Sequence, residues 1–435
     1  MLGARGRATR RWTQPLVVLA AVSVLSLAGR VAFLGSPCHI PCTTASAHVL
    51  VFDEAYYVNA ARVIAGINPP RGSHYRGSPA GDDPNSEHPQ LAKVIIAGAI
   101  ELFGDGPFAW RIASIVLGSL AILGMFALVR TAGGGRWLAV GAASLMAADN
   151  LLLVHSRIAT LDVYAVTAMI WGAVLYLRGR PLLAGVVIGV GACAKEVTPY
   201  VLLALLLYEL LQPGRARESL GARARRLGGC IAAAAGTFVA VLALLDRIAP
   251  PYDPITRRLV SGGVFGHIRY LLHYGQHQTS PHGPHGIASY PWDWLVDIKP
   301  IVYLNINPSR PAAGLFHVHP EAHFLGMISP VILLVGLPGL AVAGWSAAKR
   351  TRLPATDVEL LGLAWFAGTF IPFVLLSLVD SRTSYLYYMV IVMPGIYIAA
   401  AALISRVRPP PRLTAAWIVA IAVALIVMYP FTPVP

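Results

Sequence analysis

Charge is scarce in this sequence. Asp, Glu, Lys and Arg make up 12% of its 435 residues, against roughly 25% in a soluble domain. Together with 56% hydrophobic residues and a mean hydropathy of +0.63, that shortage excludes an ordinary water-soluble enzyme and makes the chain a polytopic membrane protein. No GxxxxGK[ST] is present, and no GxGxxG opens a helix after a strand, so nothing is built to hold a nucleotide. A group-transfer reaction would therefore draw its activated donor from the membrane. Internal repeats are also missing, which argues against a transporter built from paired halves.

Cysteine numbers four, too few for a disulfide framework. Cys38 and Cys42, in SPCHIPC just after the first apolar run, could form one small bridge in an oxidising compartment. A zinc knuckle with His39 would lack a second pair of ligands nearby. Cys193 and Cys230 lie in apolar runs and read as small hydrophobes.

Positive charge is present in excess, +14 net, but it falls in short segments between apolar runs rather than on one continuous face. That distribution excludes nucleic acid as a partner and instead sets topology. A basic arm, RGRATRR, precedes the apolar run 15 to 34, placing the N-terminus in the cytoplasm. The run Leu91 to Phe103 is short and interrupted by Lys93 and Glu101, so an interfacial or re-entrant helix is expected there. With that assignment RTAGGGR (130 to 136), RGR (178 to 180), RARESLGARARR (215 to 226), KRTR (349 to 352) and RVRPPPR (406 to 412) all face the cytoplasm.

The expected architecture is an all-α polytopic membrane domain, residues 1 to 430. Its eleven or so spans are 15 to 34, 110 to 129, 137 to 154, 161 to 177, 181 to 194, 197 to 211, 227 to 245, 324 to 347, 357 to 379, 384 to 404 and 413 to 429. Two long external segments, 35 to 109 and 246 to 323, would house the chemistry, because non-helical backbone cannot face lipid. Within the first, PPRGSHYRGSPAGDDPNS is turn chemistry without apolar period, and a mobile loop is expected. Gly185 and Gly189 form a GxxxG, read as close helix packing rather than a dimer face.

This topology gathers ionisable residues on the outer face: Asp53, Glu54, Glu87, His88, Lys93, Arg111, Asp149, His155, Arg157, Asp162, Lys195, Glu196, Asp380 and Arg382. Buried charges near span ends are costly unless they pair or face water, so a functional site and a set of paired interfacial charges are the competing readings.

In this order and spacing FDEAYY, EHPQLAK, FAWRIASIVLG, ADNLLLVHSRIATLD, YPWDWLVDIKPIVYL and SRTSYLYYMVIVMPG resemble the protein O-mannosyltransferases, of the GT-C fold group of polyprenyl-phosphate-dependent glycosyltransferases. The resemblance runs from about residue 15 to 405. It implies transfer of a sugar, usually mannose, from a polyprenyl or dolichyl monophosphate carrier to a Ser or Thr hydroxyl of a translocated protein, with inversion at the anomeric carbon. The Ala- and Arg-rich makeup points to a bacterial plasma (inner) membrane, with the secretion translocon a candidate neighbour. By matching motif Asp53 is the implied catalytic base and Glu54 its acceptor-side neighbour; His88, Lys93, Arg111, Arg157 and Asp162 fall on further family positions. Gln90 stands where the family usually has a second proline, and the β-trefoil domain of eukaryotic members is absent. A different sugar, or a glycolipid or polysaccharide acceptor, is the nearest alternative.

The chemistry is consistent on its own terms. A departing phosphate monoester, with a second pKa of about 6, needs cations more than an acid. Arg111, Arg157, Lys195 and Arg382 are suitable. The acceptor hydroxyl needs a base, and Asp53 serves either in that role or as the cap of a helix starting at Ala55. Eight of the thirteen histidines fall between His267 and His323. The resemblance allows a divalent ion held by Glu87 and one of them, whereas a solvated His-Pro-Gly loop explains the same residues. Tyr290, Trp292, Trp294 and Tyr303, and likewise Tyr385, Tyr387 and Tyr388, fit either an interfacial belt or a platform for substrate.

Overall fold

A computed structural model describes residues 2–39, 41–212, 219–306, 318–319, 322–349 and 355–431. Residues 215–218, 350–352 and His317, which belong to segments singled out above, lie outside them.

A helix stands at every expected span. The first half holds α1 (Leu2–Val31), α4 (Pro107–Thr131), α5 (Arg136–Ala148), α7 (Asp162–Leu177), α8 (Pro181–Ala192), α9 (Tyr200–Leu211) and α10 (Leu220–Ile248). The second half holds α12 (Pro330–Ala348), α13 (Asp357–Val379), α14 (Met389–Val407) and α15 (Pro411–Met428). Among the described residues six of these segments are long and apolar enough to cross a bilayer, and α5, α7, α8, α9 and α15 are shorter apolar helices. By length and composition alone six are candidate spans, fewer than the eleven or so expected.

Two boundaries differ from expectation. The apolar run at 324 does not begin a helix: Ala322–Gly326 is a strand, and helix starts only at Pro330, whose missing N–H suits the first turn. The run 137 to 154 breaks at Asp149, which accepts a hydrogen bond from the Leu152 amide and so caps the short helix α6 (Asn150–His155).

Helix α14 lies at the centre, with 78% of its spanning window buried. Glycines let its neighbours approach. A Cβ on Gly395 would stand 2.7 Å from the Gly362 carbonyl oxygen of α13, so only a hydrogen fits between the two backbones. The GxxxG of α8 faces α10 within the same chain, where a Cβ on Gly189 would meet the Ala234 carbonyl oxygen at 2.5 Å. It is a packing motif, as expected.

The two long segments expected outside the membrane carry α2 (Glu54–Ile64) and α3 (Leu91–Phe103), and α11 (Gly263–His277). Helix α3 has the bounds expected of the short interfacial helix, and it is not among the segments long enough to span. The fold is mostly helical, as expected; among the described residues six short strands add three antiparallel pairs to these segments. These are β1 (Cys38–His39) with β5 (Val318–His319), β2 (Tyr252–Asp253) with β3 (Arg258–Leu259), and β4 (Ile301–Ile306) with β6 (Ala322–Gly326). Cys38 and Cys42 are joined in a disulfide.

The stretch expected to be a mobile loop is fastened at its end. Asp83 pairs with Lys93 at 2.6 Å, both side chains fully buried, and the Asp83 amide donates to the Pro250 carbonyl. Turn composition alone does not reveal such an anchor, because the partner comes from a distant segment.

Candidate active site

The chain leaves α1 through Phe33, which has a positive φ, and reaches α2 at Asp53. Adjacent residues on a helix point about 100° apart, and the DE pair divides accordingly. Glu54 turns into the protein and is 0% exposed. Its Oε1 accepts from Arg111 Nε and the Ala159 amide, and its Oε2 from Arg111 Nη2 and the Val51 amide, all at 2.8 Å. Asp53 turns the other way, to a cavity of about 340 Å³. Its side chain makes no capping bond and has only a long 3.5 Å approach from the Tyr57 hydroxyl. Both carboxylates are expected from the sequence to serve the chemistry; Glu54 has four donors and lies off the cavity, and Asp53 faces it.

Tyr57, Glu87, His88, Lys195, Glu196 and Arg382 line the cavity with Asp53, and Phe52, Tyr385, Tyr387 and Tyr388 add aromatic walls. The Lys195 Nζ lies 2.6 Å from Asp162 Oδ1, and 5.3 Å and 5.8 Å from the Tyr387 and Tyr388 ring centres. Asp162 also accepts from His155 Nδ1 at 3.3 Å. The other His155 nitrogen then accepts from the Tyr303 hydroxyl at 2.8 Å, and Tyr303 stacks on Phe52 at 4.1 Å. A buried chain of contacts from the cavity lysine through Asp162 thus ends behind the residue next to Asp53. Arg382 donates to the Gly275 carbonyl, tying α11 to the start of the α14 segment.

Burial pushes the Asp53 carboxyl up to about 6, with Lys195 opposing and Asp162 adding to the shift. A carboxylate tuned to that range accepts protons better than an exposed one while remaining ionised at neutral pH.

Two of the four expected phosphate cations are not at this cavity. Arg111 is spent on Glu54 and on the Leu34 and Ser36 carbonyls, at 2.7 and 3.1 Å. Arg157 donates to Gly29, Ala32 and the Tyr429 hydroxyl and lies over the Phe431 ring. Both are 1% exposed, and both satisfy carbonyls at or just after the end of α1, which has no partners of its own for its last carbonyls. Lys93 is likewise committed to Asp83, Asn85 and the His88 carbonyl, so it supports the floor of the cavity rather than lining it.

His88 donates through Nδ1 to Glu196 at 3.2 Å. Glu87 Oε1 accepts from Asn85 at 2.7 Å, and His267 Nδ1 donates to Asp246 at 2.7 Å while its Nε2 faces the Ser86 carbonyl. Among the described residues no three His, Cys, Asp or Glu side chains gather as metal ligands. Glu87, expected to share an ion with a loop histidine, is instead held by the Asn85 amide. Asn85, Gln278 and Thr383 at the cavity had no signal in the sequence. Tyr57 did have one, standing four residues after Asp53 on the same helical face.

Comparison with known proteins agrees with this picture. A family model described as dolichyl-phosphate-mannose-protein mannosyltransferase matches residues 87–242. A polyprenol-phosphate-mannose–protein mannosyltransferase of Corynebacterium glutamicum is 27% identical over 403 residues, covering 79% of this chain and 75% of that protein. The enzyme of the same name from Mycolicibacterium smegmatis is 24% identical, covering 92% and 83%. Among solved structures, the S. cerevisiae protein O-mannosyltransferase Pmt1–Pmt2 complex bound to the sugar donor has a TM-score of 0.66 at 13% identity, over 96% of this chain and 89% of that one. ArnT from Cupriavidus metallidurans bound to undecaprenyl phosphate has 0.55 at 18% identity, over 94% and 63%. Fold and site together define a multi-pass membrane protein of the GT-C fold. Within that fold, the chain is similar in sequence to the protein O-mannosyltransferases named above.

Proposed function

We propose that this protein transfers mannose from a polyprenyl-phosphate carrier to Ser or Thr hydroxyls of proteins, in one inverting displacement. One observation carries the reading: Asp53 shares a cavity of about 340 Å³ with the cations Lys195 and Arg382, while the other two carboxylates there, Glu87 and Glu196, are engaged by Asn85 and His88. The relatives named above support the donor and the protein acceptor.

In the proposed step the acceptor hydroxyl donates its proton to Asp53 as its oxygen bonds to the anomeric carbon. The bond from that carbon to the phosphate oxygen breaks, and its electron pair leaves with the phosphate. Lys195 and Arg382 stabilise the growing charge; guanidinium grips phosphate through two bonds, and the ammonium acts as a point charge. Asp162, held in turn by His155, fixes Lys195 in place. The walls of Tyr385, Tyr387 and Tyr388 offer faces for the sugar.

The N-terminus is assigned to the cytoplasm and the cavity to the external face of the inner membrane, from the one-sided basic clusters. Acceptors would then arrive as translocated chains, with the translocon a proposed neighbour. The test is to supply labelled polyprenyl-phosphate mannose with a Ser/Thr peptide and a glycolipid acceptor side by side, with and without EDTA. Alkali-labile label on the peptide, in both arms, is the expected result. Label on the lipid alone would replace the protein acceptor, and loss of transfer in EDTA would restore a metal to the site.

A further inference from the structure

Helix α11 has two occupied sides. Leu271, Tyr274 and Gly275 line the candidate active site, while Gly266, Arg269, Tyr270 and His273 line a second groove of about 630 Å³. The latter four are spaced i, i+3, i+4 and i+7, one helical face. The opposite wall is the β2–β3 hairpin, with Asp253, Thr256 and Arg258.

The charges in this groove are unequal. Asp253 is occupied within its own turn, accepting from the Ile255 amide and the Thr256 hydroxyl at 2.9 Å. The side chains of Arg258 and Arg269 make no hydrogen bond or ion pair with the described residues. Two guanidiniums and His273 therefore face one carboxylate that is already engaged, an arrangement suited to a phosphate.

The surroundings point to where that phosphate comes from. The hairpin begins at Tyr252, four residues after α10 ends at Ile248, or at most about 14 Å of extended chain. Since α10 is a candidate span, the groove lies within reach of the headgroup layer, which adds roughly 5–8 Å on each side of the hydrocarbon. Large apolar side chains surround it without protein cover: Ile255 is 90% exposed, Phe265 69% and Leu272 62%. An amphipathic helix with cations beside such residues is built to lie in a membrane interface.

We propose that this groove binds the phosphate of an anionic membrane lipid, with Arg258 and Arg269 as its ligands, and so docks α11 and the wall of the catalytic cavity on the bilayer surface. The proposal does not depend on which sugar or acceptor the enzyme uses. It is tested by titrating the detergent-purified protein with phosphatidylglycerol, phosphatidylcholine or inorganic phosphate and reading bound species by native mass spectrometry. Phosphatidylglycerol should bind roughly tenfold more tightly than phosphatidylcholine, whose choline cation offsets the phosphate charge and is repelled by the two guanidiniums. Arg258→Gln with Arg269→Gln should abolish the difference, and Arg258→Lys with Arg269→Lys should restore part of it. Equal binding of both lipids by the wild type, or an undiminished preference in the Gln pair, would overturn the proposal. Inorganic phosphate binding as tightly as phosphatidylglycerol would make this a free-phosphate site and overturn the lipid assignment. A photoactivatable phosphatidylglycerol on the wild-type protein, whose fold is not in question, should label peptides within 248–274; label confined elsewhere would refute it.

Discussion

Asp53 and Glu54 are neighbours with the same charge, and the structure predicts opposite consequences for removing each charge. Glu54 is 0% exposed, and both its oxygens bond to Arg111 and to backbone amides. In Glu54→Gln the Arg111 guanidinium stays buried without a counterion, which costs about 3–5 kcal/mol. That is a large share of a typical stability of about 5–15 kcal/mol. Asp53 holds nothing of that kind: it caps no helix and has one 3.5 Å contact. Its carboxyl is raised from 3.8 to about 6 by burial. At neutral pH the ionised form is therefore held at a cost of order 1–3 kcal/mol, which Asp53→Asn removes. As the general base, though, it contributes roughly 10²–10⁴-fold in rate. Asp53→Asn should thus elute and melt like the wild type, or slightly above it, while kcat falls by about 10²–10⁴ with little change in donor KM. Glu54→Gln should lose folded yield and Tm. The assays are thermal unfolding in detergent and single-turnover mannosyl transfer on the same preparations. A fully active Asp53→Asn, or a stable but inactive Glu54→Gln, would show that the wrong carboxylate has been placed at the chemistry.

Three further outcomes are expected. Because the Asp53 carboxyl titrates near 6, kcat/KM should fall as pH drops through about 6, where the base becomes protonated, and level off above it; a rate flat from pH 5 to 8 would contradict the assignment. Arg382→Gln should raise donor KM at least tenfold, the value of about one charged hydrogen bond, with a smaller effect on peptide KM, measured by varying each substrate in turn. Gly189→Leu, where even a Cβ would stand 2.5 Å from the Ala234 carbonyl oxygen, should destabilise the α8–α10 contact by about 1–3 kcal/mol or more, and an unchanged Tm would refute that packing.

Much of the fold was legible in the sequence because apolar length is a direct requirement of the bilayer. Helices stand at the expected spans, and Leu91–Phe103 has its expected bounds because Pro89 precedes it and Gly104, at a positive φ, ends it. Phe324 shows where that signal ends: an apolar stretch beside a span was a strand edge, and only the pairing with Ile301–Ile306 distinguishes the two. Of the cavity lining, Asp53, Lys195, Arg382, His88 and Glu87 were legible as candidates. The places of Arg111 and Arg157 were not legible, since an Arg at a span end looks the same whether it faces a cavity or caps the carbonyls of another helix. Their partners lie at Leu34 and Gly29, far away in the chain. Asp83 was hidden for the same reason, in a turn-rich stretch whose anchor is Lys93.

The central claim is that one carboxylate and the cations of one cavity drive a single displacement at the sugar. The anomeric configuration of the product tests it most directly. Single-turnover transfer from a donor of defined configuration, with the mannosyl peptide read by NMR, should give the inverted linkage. A retained linkage would require a second, covalent step and would contradict the assignment of Asp53 as the base of an in-line transfer.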